Sequence, residues 1–502
     1  HFRLSLEADP GSTDAAARLL GHLADAQEWA EYDEVARLMV RRAPDDARSH
    51  LFRGLGLHER GRDAEAEVAF RRALELLPAP ERRVFEDVEP LLPSRLKGEY
   101  ATRDSAGRAE TARLIFTGKD PLFLTEANER RLEHFARLAW AELKFSAPAS
   151  GLRGWSSDRG RIWVRYGKPG RSYQCCYAAA GQRNVYWSYG RHGPLFTFTR
   201  NLTYRRASFT DAAGQLSEEL EATAPELYRP RTVTTLHPLP HQLARFRGSE
   251  PRLTRVELYA APPLDSLFAA PGSRVETGVF TFLEDYTPLW EQRAVLDVSD
   301  RGVALTYRFE VPAGRFRYGI EARLAGPDSL PRPAARAREV LRAEDFGAGR
   351  LAISDLLLTA VPVIARTEGP TRRDQLVLSP LRGTTLAAGE PIHLYFEVYG
   401  LEAGEAGVAG YRAELAVEDS TQRNVAERLL RAGRELVGTG TPETRVSWER
   451  QMRVEDDLVP EFLSVEVPRL PAGDYVVRVR ITDVATGRSA ERVRHLSVEG
   501  EP

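Results

Sequence analysis

The chain has 502 residues, 42% of them hydrophobic and 28% charged, the balance of a folded protein and far from that of a disordered one. Its 70 basic and 72 acidic side chains leave a formal net charge of −2, so no global field attracts nucleic acid or anionic lipid, and nucleic acid is not expected as a partner. The length sets about three to four domains, because one core stops growing beyond roughly 250 to 300 residues.

All but four of the basic residues are arginine, a usage read as genomic bias rather than mechanism. Cys175 and Cys176, the two cysteines, are adjacent and allow neither a long-range disulfide nor a Cys-based zinc site; they read as small side chains in a strand. No stretch reaches the roughly 20 apolar residues that span a bilayer, the nearest being Leu356 to Ile364, interrupted by Pro362. The sequence opens at His1 without Met, apolar signal or lipidation Cys, so a targeting segment is expected to lie upstream or to have been removed.

In chain order, Pro10, Pro44 and Pro78 recur every 34 residues, and each closes an apolar-periodic segment. In the last unit, Gly54 allows two helices to approach, Gly61 makes the turn, and Ala66, Phe70 and Ala73 share one helix face. Period and pattern resemble the tetratricopeptide repeat. The middle unit keeps the period but reads as degenerate, with Tyr32-Asp33-Glu34-Val35 offset by three residues from the expected turn. Residues 1–10 read as the second helix of a unit whose first is missing, so a longer array is expected. From Pro78 to about residue 120, Pro80, Pro90 and Pro93 interrupt the pattern, which reads as a connector.

A helix is expected over Glu126 to Phe145, where Leu132, Phe135, Ala139 and Leu143 recur at helical spacing. Beyond Pro148 the reading turns to strands, first Arg161-Ile162-Trp163-Val164-Arg165-Tyr166, with Gly167-Lys168-Pro169-Gly170 as a turn. Past residue 250 nearly everything reads as β: Ile392, Leu394, Phe396 and Val398 alternate, as do Val477, Val479 and Ile481. Val311-Pro312-Ala313-Gly314-Arg315-Phe316 recurs as Leu470-Pro471-Ala472-Gly473-Asp474-Tyr475, which predicts two similar sandwiches.

The most distinctive stretch runs Gly154-Trp155-Ser156-Ser157-Asp158-Arg159-Gly160-Arg161, then Ile162 to Tyr166 and Gly167-Lys168-Pro169. It resembles the signature of the bacterial GWxTD-domain family, with Ser157 in place of Thr keeping the hydroxyl for a local bond. Lys119-Asp120-Pro121, the aromatic segments Val185 to Tyr189 and Leu195 to Phe198, and Leu351 to Leu358 match in order, so the resemblance covers about residues 105–500 and is specific only near 154–169. It implies a bacterial envelope or periplasmic location and supplies no reaction.

Asp158 between Arg159 and Arg161 reads as a structural clamp, since flanking guanidinium groups suit an ion pair better than a base poised near neutrality. Trp155 reads as a core anchor under the turn. The aromatic residues Trp163, Tyr166, Tyr173, Tyr177, Tyr186, Trp187 and Tyr189 leave a groove open as an alternative. His237 and His241 are kept off a helix by Pro238 and Pro240 and read as a loop rather than a metal site. No phosphate loop, dinucleotide fingerprint or nucleophile elbow is present, and neither cofactor nor metal is expected.

The sequence therefore predicts a multidomain α+β protein. Its parts are a tetratricopeptide solenoid (1–80), a connector (81–120), a central α/β GWxTD domain (121–250) and two antiparallel β-sandwich, Ig-like domains (251–360 and 361–502). The function it favours is a non-catalytic, envelope-associated scaffold or assembly subunit that binds a protein partner through repeats and sandwich surfaces. The alternative is an enzyme or glycan-binding protein whose cleft is lined by signature residues: Gly154, Trp155, Ser157, Asp158, Arg159, Arg161 and Tyr166.

Overall fold

The computed structural model describes residues 13–147, 151–178, 182–190, 194–201, 206–208, 227–299, 302–328, 330–347, 349–368, 372–405, 407–419, 444–465 and 470–500. The reading of residues 1–10 lies outside them. Helices come first and strands follow in several sheets, a multidomain α+β arrangement. The chain divides into two compact units: residues 1–236, 285–288 and 325–334 form one, and 237–284, 289–324 and 335–502 the other.

In the first unit, α1 (Thr13–Ala26), α2 (Trp29–Arg42), α3 (Ala47–Glu59) and α4 (Asp63–Leu76) pack each against the next. Gln27 and Gly61, one 34-residue period apart, both take left-handed dihedrals, with φ of 60° and 70°. The turns are therefore in register, and Tyr32-Asp33-Glu34-Val35 lies inside α2 rather than at a displaced turn. The sequence hid this because Gln27 fills a position where glycine is the usual signal. The packing code is exchanged between the two pairs. Phe70 closes over Gly54, where a Cβ would come within 2.7 Å of the ring; one period earlier Ala36 and Leu20 hold those places. The large ring has moved one turn to Tyr32, which closes over Gly56 and donates to the Phe52 carbonyl at 3.1 Å.

The expected connector is helical: α5 (Ala79–Glu86), α6 (Ser94–Thr102) and α7 (Ser105–Phe116) follow one another. Its prolines start helices instead of breaking them. Pro78 and Pro93 are N-caps and Pro80 is in the first turn, positions whose N–H has no intrahelical partner in any case. Asp104 caps α7 by accepting from the Gly107 N–H at 2.8 Å.

Helix α8 (Glu129–Phe145), capped by Asn128, packs on α1, α3 and α4. Leu132, Phe135 and Ala139 share one core with Leu20, Phe52, Leu55 and Phe70. Phe135 meets Phe70 and Phe85 edge-on at 5.8 and 5.7 Å. The chain's own helix thus fills a face of the repeat pairs.

The segment expected as a strand at 161–166 is instead α9 (Asp158–Tyr166). Ser157 caps its start, Gly167 ends it at φ 71°, and Ile162, Trp163 and Tyr166 project at helical spacing into one core. β-Branched and aromatic content misled because caps and burial override a weak local preference. Strands β1 (Arg171–Ala178), β2 (Gln182–Ser188), β3 (Leu195–Asn201) and β4 (Arg206–Ser208) then form a meander in that order, pairing Trp187 with Phe196 and burying Trp187, Phe196 and Phe198 against Trp163 and Tyr166. Cys175 and Cys176 are in β1, and their side chains lie outside the described residues, as does that of Tyr177.

The strands from Val233 onward include two sets of sheets with similar strand orders. Strands β5 (Val233–Pro238), β8 (Arg274–Phe282), β9 (Pro288–Asp297), β11 (Gly314–Leu324) and β12 (Arg332–Ala343) make a sheet in the order β5-β12-β11-β8-β9. Strands β6 (His241–Arg247), β7 (Leu253–Ala260) and β10 (Leu305–Pro312) make a second, β10-β7-β6, and the two sheets share a core of Leu258, Tyr307, Val279 and Ile320. The other set pairs β17 (Thr385–Ala387), β19 (Val408–Asp419), β20 (Thr444–Arg453), β22 (Gly473–Asp483) and β23 (Ser489–Glu499) as β17-β23-β22-β19-β20. Opposite it, β18 (Ile392–Tyr399) is flanked by β21 (Leu458–Val465) on one side and by β13 (Ala352–Ile353) and β14 (Leu357–Thr359). In each set the strand led by the repeated Pro-Ala-Gly turn is third in its five-stranded sheet. Phe316 and Tyr475 are equally buried there, and the Phe316 ring lies 3.3 Å from where a Gly314 Cβ would be. The two sets differ in that β13 and β14 precede β17 in sequence, whereas β6 follows β5.

His237 and His241 are on β5 and β6, not in a loop; Leu239 and Pro240 alone make the bend between the strands. His241 bonds the Tyr318 hydroxyl at 2.7 Å through Nε2. Among the described residues no group of His, Cys, Asp and Glu is arranged to hold a metal.

Strand β18 is buried on both faces. Ile392, Leu394, Phe396 and Val398 fill the sandwich core, while Tyr395 faces Phe246, Ala244 and Tyr259 of the first set. That seam also holds two buried carboxylates. Glu397 accepts from the Tyr395 and Tyr399 hydroxyls at 2.8 and 2.5 Å and from Arg255 at 3.2 Å; Glu257 is bonded by Tyr259 and Arg373. Burial and the Glu397 charge raise the Tyr395 and Tyr399 pKa values well above the ordinary phenol. Arg245 grips the buried Asp355 in two bonds of 2.7 and 2.8 Å, and burial of that carboxyl is outweighed by this pairing, which lowers its pKa.

Candidate functional site

Gly154, Ser157 and Gly160 of the signature join α9 to α8. A Cβ on Gly154 would come within 1.9 Å of the Ala141 carbonyl oxygen, and one on Gly160 within 2.0 Å of the Gly154 oxygen, so both backbones touch directly. The Gly154 N–H donates to Glu142 at 2.8 Å, and Arg153 joins Glu142 at 3.1 Å to Glu81 at 2.5 Å. Ser157 Oγ donates to the Gly154 carbonyl at 2.7 Å and accepts from the Gly160 N–H at 3.0 Å. Trp155 is buried in the helical core, edge-on to Phe85 at 5.6 Å.

Asp158 and Arg161 form a loose, part-exposed pair at 3.7 Å, and Arg159 lies over the Phe145 ring at 4.7 Å. Tyr166 is buried between Tyr189 and Phe196. Trp155 and Tyr166 are therefore placed in packed cores, and Asp158 and Arg161 remain part-exposed. Buried Arg165 reaches the Pro90 and Leu92 carbonyls at 3.0 and 2.6 Å.

An opening is present beside the last turn of α9. A cavity of about 110 Å³ is lined by Trp29, Trp140 and Trp163, with Glu59, Glu133, Arg137, Lys168 and Gln27 as its polar residues. Trp140 and Trp163 stack at 4.8 Å with an 8° interplanar angle, and Trp29 is 6.2 Å from Trp140 at 55°. Sequence reasoning reached Trp163 and Lys168 and missed Trp29, Trp140, Glu59 and Glu133. Reading α9 as a helix would have helped, since Trp163 and Gly167 are then one turn apart on the same face.

The cavity floor is charged and fixed. Buried His58 bonds Asp63 at 2.7 Å and Glu133 at 3.1 Å. Burial works against the imidazolium, but the two carboxylates outweigh it and hold the His58 pKa up at about 9. Burial likewise opposes the Glu133 charge, and Arg137 with His58 overcomes it, lowering that pKa strongly. Arg137 binds Glu133 at 2.6 Å, the last carbonyls of α9 (Val164 and Arg165, both 3.2 Å) and the Leu227 carbonyl at 2.8 Å. A Cβ on Gly167 would come within 2.9 Å of that guanidinium. His134 is also fully buried; burial, with the Arg130 and Arg137 charges, pushes its pKa down to about 3.

Fold and site together define a multidomain α+β protein with a largely helical unit, a β-rich unit and an aromatic, charge-lined cavity in the former. No family model matches the chain, and no curated protein matches it. Among solved structures it is similar to the native conformation of E. coli alpha-2-macroglobulin, at 8% identity and a TM-score of 0.24, over 64% of this chain and 27% of that one. It is also similar to a Salmonella alpha-2-macroglobulin mutant, at 10% identity and a TM-score of 0.17, over 63% of this chain and 18% of that one. Likenesses at that level carry no argument about function. Among the described residues no helix is long and apolar enough to cross a membrane.

Proposed function

We propose that this chain is a non-catalytic, envelope-associated scaffold or assembly subunit of the GWxTD kind, with tetratricopeptide-like pairs at its N-terminal end, Ig-like sandwiches at its C-terminal end, and a protein as its partner. The observation that carries the reading is the use made of the signature. Its glycines, Ser157 cap and Trp155 hold two helices together rather than surrounding a reacting atom. Because α8 covers α1, α3 and α4, the repeat pairs act as a filled platform, and recruitment falls to the strands. Strand β9, outermost in its sheet, is ten residues long with Leu289 and Val295 exposed at 42% and 55%. An outer strand recruits an extended segment of a partner through backbone bonds.

The test is affinity capture of the protein from its own envelope fraction with mass spectrometry. A stoichiometric protein partner is expected, and it should be lost from a Leu289→Lys, Val295→Lys double variant that melts like the parent, since lysine on an outer strand opposes pairing. Recovery of the folded parent alone would overturn the reading.

A further inference from the structure

We propose that the cavity between Trp29, Trp140 and Trp163 binds one pyranose ring of a saccharide. This goes beyond the scaffold reading and does not depend on it.

Three of the chain's seven tryptophans line one small cavity, and they come from three separate helices. One face of Trp140 is covered by Trp163, and the half-buried Trp29 and Trp140 turn part of their remaining indole surface to the cavity. A pyranose presents faces of electropositive C–H groups, which suit the negative face of an indole. Its hydroxyls both donate and accept. Glu59 and Glu133 supply acceptors, while Lys168 and the Gln27 amide supply donors at the exposed lip.

Charge selects against an ionic ligand. Two carboxylates, Glu59 and Glu133, face two cations, Arg137 and Lys168, and Glu59 is further paired with Arg231 at 3.2 Å. The walls are set before anything binds: Arg137 is fastened to Glu133 and three carbonyls, the Gly167 backbone forms a side, and Gln27 is held in a left-handed turn. Such a site loses little freedom on binding.

The experiment is saturation-transfer NMR and calorimetry on the full chain, with the methyl glycosides of glucose, galactose, mannose and N-acetylglucosamine as probes. At least one should bind saturably near the millimolar range, a binding free energy of about 4 kcal/mol. Trp29→Ala should weaken that probe about tenfold or more, and the exposed pair Gln27→Ala, Lys168→Ala should do likewise, while Asp158→Asn binds as the parent does. If Trp29→Ala fails to fold, the exposed pair decides. No saturable signal from any probe on folded protein, or affinity unchanged in the exposed pair, would overturn the proposal.

Discussion

The signature contact in the helical unit and the seam in the β unit solve the same problem, joining two elements without slack, by opposite means. At the signature the backbones of Gly154 and Gly160 touch their neighbours directly, and polar groups only trim the edges. At the seam two carboxylates with exposures of 1–2%, Glu257 and Glu397, are sunk among arginines and tyrosines. Backbone contact tolerates no added atom. A buried ion network tolerates no missing one.

Each means fails in its own way when tested. Removing one charge at the seam leaves partners buried and uncompensated, so Glu397→Ala is expected to cost about 3–5 kcal/mol in urea unfolding monitored at the β-rich unit. Adding one methyl at the signature, Gly154→Ala, must push the turn away from Ala141 and is expected to cost roughly 2–3 kcal/mol, seen as a lower denaturant midpoint for the helical unit. Equal midpoints for parent and variant in either case would remove that contact from the account.

Stability against pH sharpens the contrast further, because two histidines of the helical unit respond in opposite directions. Folded His58 keeps its proton to about pH 9, while unfolded it releases it near 6.5; its contribution is complete below about 6.5 and is lost as pH rises to about 9. His134 is neutral when folded until about pH 3, so its contribution is complete above about 6.5 and is lost as pH falls toward 3. Melting temperature of the helical unit should therefore decline on both sides of about pH 6.5. His58→Gln should flatten the alkaline limb alone.

The smallest effect is expected at Asp158. Its pair with Arg161, at 3.7 Å with side-chain exposures of 28% and 48%, contributes about 0–1 kcal/mol, so Asp158→Asn should melt within a degree or two of the parent. A large loss there would revive a role for the signature acid that the fold does not assign.

What the sequence made legible follows from how local each signal is. The 34-residue period, the helix ending at Phe145 and the duplicated Pro-Ala-Gly turns were readable because spacing alone defines them. The turn at Gln27 was not, because a left-handed glutamine carries no compositional mark. Helix α9 was misread because Ile162, Trp163 and Val164 favour strands locally, while the cap at Ser157 and burial beside α8 decide otherwise. The cavity was invisible for a different reason: Trp29, Glu59, Glu133 and Trp163 meet only through tertiary packing.

That packing carries the proposal, since α1, α3 and α4 spend one face on α8. Native-state hydrogen exchange of the amides in Ala47–Glu59 and Glu129–Phe145 tests it directly. Both helices are expected to open together, with one free energy close to that of global unfolding of the helical unit. Exchange from Glu129–Phe145 at a much lower free energy than from Ala47–Glu59 would mean a helix that lifts away and a face open to partners, contrary to the proposal.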